Sequence, residues 1–217
     1  MRRNLPILLA ALLVLSAAPA LAADEEASAA PTPAAPQATL DPDATAAIEA
    51  PNVGLTLSFP AEWRLSLPEG ERVSEITGPD GEPIMATTAI YAMGQGGQWC
   101  NVDVYFDAPA SLQEHTFALA SYLQQKLGKT PMVVTETDIP VGHAFRIEVL
   151  DTVMARIRTH YLFERANDDG TNDRFVLTCA NPVDVEALGQ AIAETAVFTD
   201  MVAAEEPSAA PSEAPAE

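Results

Sequence analysis

Residues 155–179 read ARIRTHYLFERANDDGTNDRFVLTC, and their alternation decides the fold. Ile157, Thr159, Tyr161 and Phe163 fall on one side of an extended chain, with Arg156, Arg158, His160 and Glu164 on the other. Asn167-Asp168-Asp169-Gly170 then supplies the Asp-Gly chemistry of a tight hairpin turn. Arg174 to Cys179 returns with Phe175, Leu177 and Cys179 on one face. Two long strands joined by so short a turn must pair antiparallel.

The pattern continues on both sides. Upstream, Met132 to Thr137 and Ala144 to Val149 read as strands, the second with Phe145, Ile147 and Val149 inward. Earlier still, Trp99 to Phe106 alternates. Cys100, Val102, Val104 and Phe106 share one face, and Trp99, Asn101, Asp103 and Tyr105 share the other. Leu55, Leu57 and Phe59 mark a strand that stops at Pro60. Trp63 to Leu67 and Ile84 to Ala92 follow, separated by a Pro79-Asp80-Gly81 turn.

Two stretches change period. Ser111 and Glu114 form a capping-box pattern ahead of Leu112, Thr116, Leu119, Ala120, Leu123 and Leu127, and Gly128 suits the residue past the last turn. This predicts a helix over 112–127. Asn181 with Pro182 behind it predicts a second helix, with Val185, Leu188, Ile192 and Ala196 as its buried stripe. The order of elements predicts one α+β domain over residues 52–200, a largely antiparallel sheet sandwiched by helices.

The ends carry different chemistry. Arg2 and Arg3, the apolar run Leu5 to Ala18 and the small-x-small triplet Ala20-Leu21-Ala22 predict a cleaved signal peptide over 1–22. The protein is therefore expected in the periplasm or outside the cell, with no stable membrane insertion after cleavage. Residues 23–51 and 201–217 are rich in Ala, Pro and acidic residues, and predict a disordered linker and a disordered acidic tail.

The chain carries a net charge of −20, and the leader contributes only positive charge. So acidic a protein repels nucleic acid, and no nucleic-acid partner is expected. The two cysteines, Cys100 and Cys179, both fall on core-facing positions, and an oxidising compartment predicts a disulfide between them.

Chemistry-bearing motifs are few. No G-x-S-x-G, S-x-x-K or H-E-x-x-H occurs, and two Cys with three scattered His lack zinc-ligand spacing. No metal and no cofactor is expected. Asn167 to Asp173 offers clustered oxygens but lacks the closing Glu of an EF-hand loop, and a polar turn accounts for it. Five basic residues, Arg146, Arg156, Arg158, Arg165 and Arg174, fall on three consecutive predicted strands. Arg146, Arg156 and Arg158, with His160, form the candidate patch for an anion or a partner, unless the arginines pair with Glu148, Asp151 and Glu164 across strands. Trp63, Trp99 and Tyr105 could line a pocket, or could simply pack between layers.

Leu57-Ser58-Phe59-Pro60-Ala61-Glu62-Trp63 resembles the opening of PsbP-like domains. Gly142-His143-Ala144, entering a long meander, resembles their middle. The end is similar too: Phe175-Val176-Leu177-Thr178-Cys179, a helix, then Val197-Phe198. The resemblance implies an α-β-α sandwich, shared with the nuclear-import factors that bind Ran, over most of residues 53–198. It also implies a non-enzymatic accessory or binding role in the cell envelope. That family has no common catalytic motif, so it assigns no site residue. The alternatives are a small exported hydrolase whose site assembles only in the fold, and a carrier of a small apolar or anionic ligand held between sheet and helix. The partner would then be an envelope protein or a small molecule.

Overall fold

The computed structural model describes residues 39–68, 71–77, 83–108, 110–128, 130–185 and 187–201, with backbone alone over 71–77 and 83–84. The residues of the expected signal peptide, those of the expected linker up to residue 38, the expected Pro79-Asp80-Gly81 turn and those of the expected tail from residue 202 lie outside the described residues.

A 3-10 turn, Pro42–Ala44, leads into β1 (Thr45–Ala50), β2 (Leu55–Pro60), β3 (Arg64–Ser66), β4 (Glu71–Thr77), β5 (Pro83–Met93) and β6 (Trp99–Tyr105). The long helix α1 (Leu112–Leu127) follows, then β7 (Met132–Ile139), β8 (Gly142–Asp151), β9 (Arg156–Ala166) and β10 (Asn172–Pro182). A short helix α2 (Gly189–Ala193) and β11 (Val197–Phe198) complete the order. Eight strands make one antiparallel sheet in the order β3-β5-β6-β10-β9-β8-β7, with β4 also on β5. A second, three-stranded sheet runs β1-β2-β11.

This corrects the expectation of an α+β sheet sandwiched by helices. The described chain is β-rich: two antiparallel sheets, one helix of 16 residues and one of 5. Two local causes account for the difference. First, Asn181 and Pro182 do not start a helix. They stay in register with Ile157 and Arg156, and Val183 N donates to Ala155 O at 3.1 Å, so β10 keeps its partner two residues longer. Helix forms only from Gly189. There the absence of a side chain matters, because a Cβ would sit 3.3 Å from Cys179 Cβ. Second, Thr45–Ala50, read from composition as part of the linker, pairs antiparallel along the whole of β2. A sheet, not a helix, therefore supplies most of the layer on that face.

Two cores result. On one face of the large sheet, Ile90, Cys100, Val102, Phe163, Phe175, Leu177 and Cys179 pack against Leu55, Leu57 and Phe59 of β2 and Ile192 and Ala193 of α2. On the other face, Phe145, Ile147, Val149, Leu162 and Val176 pack under Leu112, Leu119, Ala120 and Leu123 of α1. Both faces being covered, β10 reads as a nearly continuous buried run rather than an alternation of wet and dry residues.

The helix α1 is set by its cap. Ser111 Oγ accepts from Glu114 N at 3.2 Å, and Glu114 Oε2 accepts from Ser111 N at 2.8 Å. Those hydrogen bonds hold the Glu114 carboxyl below its ordinary pKa. Gly128 closes the helix at φ +71°.

The turn between β1 and β2 ends at Gly54, where φ is +59°. Its carbonyl accepts from Thr199 N at 2.9 Å, and Arg165 reaches the neighbouring Val53 carbonyl at 2.9 Å. A Cβ here would lie 2.4 Å from Thr199 O and 2.7 Å from an Arg165 nitrogen. Gly54→Ala is expected to lose about 3 kcal/mol, from left-handed strain plus the displaced β11 contact, read as a lower denaturation midpoint at unchanged slope. A midpoint within error of the parent would show that this turn tolerates rearrangement.

Candidate functional site

Register carries one polar row straight across the large sheet on the α1 side. Tyr91 on β5 faces Asn101 on β6, Asn101 faces Thr178 on β10, and Thr178 faces His160 on β9. The neighbouring rows are Thr88–Asp103–Val176–Leu162 and Met93–Trp99–Ala180–Arg158. Thr88 and Tyr91 differ by three positions yet both turn toward α1, because a bulge between Thr88 and Ile90 inserts an extra residue into β5.

Over these rows the helix leaves a cleft of about 340 Å³. Its walls are Tyr91, Trp99, Tyr105 and Tyr122, its floor Asn101, Asp103, His160 and Thr178, and Leu119 and Leu123 close it from the helix side. Arg158 lies in the lining beside His160. The polar groups are held in place by one another. Asp103 accepts from Thr88 Oγ1 at 2.7 Å and from Asn101 Nδ2 at 2.9 Å. Arg158 donates to Asp151 at 2.7 Å. His160 Nδ1 and Thr178 Oγ1 are 2.9 Å apart, whereas His160 Nε2 is buried with no hydrogen-bond partner among the described residues. Burial, helped by the nearby Arg158 charge, pushes the His160 pKa down to about 3, so the ring is neutral.

Further along the α1 face lies a second polar group. Arg174 is wholly buried, donates to Glu164 at 3.1 Å and sits 3.4 Å from His115 Nδ1 on α1. The His115 ring meets Tyr105 edge-on at 4.6 Å. Burial and the Arg174 charge lower the His115 pKa to about 4. A third polar hollow, of about 310 Å³, lies on the opposite face among Glu136, Asp138, Arg146, Tyr161, Gln190 and Glu194. Burial raises the Tyr161 phenol there to about 12.

The candidate patch Arg146, Arg156, Arg158 and His160 is divided by this geometry. Arg158 and His160 line the α1-side cleft. Arg156 shares their face and donates to Gly97 O at 2.6 Å. Arg146 faces Tyr161 in register, lies on the opposite side of the sheet and pairs with Glu148. Arg158–Asp151, Arg174–Glu164 and Arg165–Asp173 pair across strands, whereas Arg146 pairs with Glu148 along its own strand β8. The histidines remain apart, since His143 sits at the β7–β8 hairpin, 3.7 Å from Asp138. Among the described residues no group of three or more His, Cys, Asp or Glu is placed to hold a metal ion. In the Asn167–Asp173 stretch, Asp169 accepts from Thr171 N at 2.9 Å, and Asp173 pairs with Arg165.

Trp99 and Tyr105 line the cleft, while Trp63 packs against Phe59 in the other core. Sequence reasoning placed Trp99, Asn101, Asp103 and Tyr105 on one face. It missed Thr88, Tyr91, Tyr122 and Thr178. The strand pairing behind Thr178 was legible, but the bulge that turns Tyr91 inward leaves no period-two signal.

Cys100 and Cys179 are bonded, directly opposite each other on β6 and β10 with Cα atoms 4.1 Å apart. No described helix is long and apolar enough to cross a membrane. The structure thus defines a disulfide-closed, two-sheet β protein with a polar, aromatic-walled cleft under its long helix. Compared with known proteins, the chain matches no family model and no curated protein.

Proposed function

We propose that this is an exported binding protein that holds a small molecule in the cleft between α1 and the large sheet. The observation that carries the reading is the cleft itself. It combines aromatic walls with convergent polar groups, the composition of a small-molecule site. A binding role fits the chemistry better than hydrolysis. His160 with a pKa of about 3 is a weak proton acceptor at neutral pH, and its Nδ1 is oriented by a threonine rather than a carboxylate. Export is supported by the disulfide, which persists in oxidising compartments, and by the leader-like first 22 residues.

The test is native mass spectrometry of the protein taken undenatured from its exported fraction. The parent chain is expected to carry a non-covalent small-molecule adduct. Thr178→Phe, which fills the floor of the cleft, is expected to lose it while keeping its fold. An adduct retained in full by that variant would place binding elsewhere, and a parent chain with no adduct would count against the reading.

A further inference from the structure

We infer that the occupant of this cleft is a neutral saccharide of one or two rings. The inference rests on the binding reading above and names its ligand class. Three observations lead to it.

The first is the pairing of surface types. Four aromatic side chains, Tyr91, Trp99, Tyr105 and Tyr122, share a small cleft with the planar polar groups of Asn101, Asp103, Arg158 and His160. A sugar ring has both matching surfaces: a C–H face that packs on aromatic carbon, and a rim of hydroxyls that planar amide, carboxylate, guanidinium and imidazole groups can meet in the ring plane.

The second is charge. The Arg158 guanidinium is already paired with Asp151 at 2.7 Å, and His160 is neutral. The cleft also contains the buried carboxylate of Asp103. An anion would have to compete with Asp151 for Arg158, which disfavours phosphates and carboxylates. A purely apolar ligand would leave His160 Nε2 and Arg158 Nε without partners.

The third is the state of the buried hydrogen-bonding atoms. His160 Nε2 and Arg158 Nε are both buried without a partner among the described residues. Arg158 Nε can only donate, whereas His160 Nε2 donates or accepts according to tautomer. Both atoms are sealed from solvent in this structure, so a ligand hydroxyl, which can donate and accept, would meet them only after a neighbouring side chain shifts. The cleft's volume, about 340 Å³, lies at the small end of small-molecule sites and admits one or two rings rather than a polymer.

The chain has two tryptophans, which makes the test direct. The exported protein is labelled with 5-fluorotryptophan and its two fluorine resonances are assigned through Trp99→Phe. The Trp63 signal reports the opposite core and serves as the folding control. Glucose, galactose, N-acetylglucosamine and maltose are titrated to tens of millimolar. Inorganic phosphate, tetramethylammonium and octanoate are titrated in parallel.

The expected result is a saturable shift of Trp99 alone with at least one saccharide. Asn101→Ala, and separately Tyr91→Leu, should weaken that response about tenfold or more with the Trp63 signal unchanged. A Trp99 shift with phosphate, tetramethylammonium or octanoate and with no saccharide would overturn the ligand class while leaving the binding cleft standing. No Trp99 shift with any probe would overturn the saccharide inference. Combined with an adduct-free native mass, it would overturn the binding reading as well.

Discussion

Reducing the Cys100–Cys179 bond is expected to cost about 4.5 kcal/mol. The bond spans a sequence separation of 79. In the chain-entropy account, a closed loop of that length removes about 4.5 kcal/mol of conformational freedom from the unfolded chain. Native proteins are stable by only about 5–15 kcal/mol, so the reduced form should sit close to unfolding. The bond's position adds to its effect. It joins β6 to β10 at the centre of the large sheet, and Cys179 lies against Gly189, where α2 approaches. Reduction loosens the contact through which the α2 layer packs, so α2 should become the first element to exchange its amide hydrogens. Guanidinium unfolding with and without reductant measures the loss. A difference below about 1.5 kcal/mol would show that the strand ladders alone hold these strands together.

Acid is expected to unfold the protein through two histidines. His160 titrates at about 3 and His115 at about 4 in the fold, against an ordinary value of 6.5. Both shifts are downward and led by burial, so the folded state keeps each ring neutral where the unfolded chain would protonate it. Between pH 6.5 and the folded values the unfolded state therefore binds more protons, and stability falls as pH falls. The stabilisation is fully present above 6.5 and is lost progressively toward 4 for His115 and 3 for His160. Together the two rings should remove on the order of 5 kcal/mol between pH 6.5 and 4. Denaturant unfolding at a series of pH values tests this. His160→Gln should remove about half of the slope in that window, and His115→Gln most of the remainder. Equal slopes in parent and double variant would assign acid sensitivity to other groups. The structural consequence is specific, because protonated His115 would face Arg174 at 3.4 Å. Like charges there should loosen α1 before the sheet itself gives way.

Most strands were legible because their alternation survives burial. The span of α1 was legible for a different reason. Its cap, its apolar stripe and its closing glycine all agree locally, and agreement of local signals is what makes a segment readable. The disulfide followed from alternation and from the expected oxidising compartment. The second helix was misread because Asn181-Pro182 carries a helix-start signature in any context. Pairing of Pro182 with Arg156 is a tertiary fact that outweighs it. The strand Thr45–Ala50 was hidden by composition, since an Ala-rich segment looks like linker until β2 is known to need an edge partner. Those two misreadings together turned a two-sheet protein into an expected helix sandwich.

The candidate site was half visible. Trp99, Asn101, Asp103 and Tyr105 fell on one face from alternation alone. His160 was marked only as a neighbour of arginines, on the assumption of a charged outer face. Both faces of the large sheet are in fact covered, so a strand position that would be solvent in a simple half-buried sheet became the floor of a cleft. Tyr122 enters from a helix and Tyr91 through a bulge, and neither is fixed by spacing along the chain.

The central claim, that the space between α1 and the polar row Tyr91–Asn101–Thr178–His160 holds a small molecule, is tested most directly by a crystal structure. The protein should be purified undenatured from its own exported fraction. The account predicts density for a bound molecule within hydrogen-bond distance of His160 Nε2 and in contact with the Trp99 side chain. A cleft closed by collapse of Tyr122 and Leu123 onto the sheet, with no molecule in it, would contradict it.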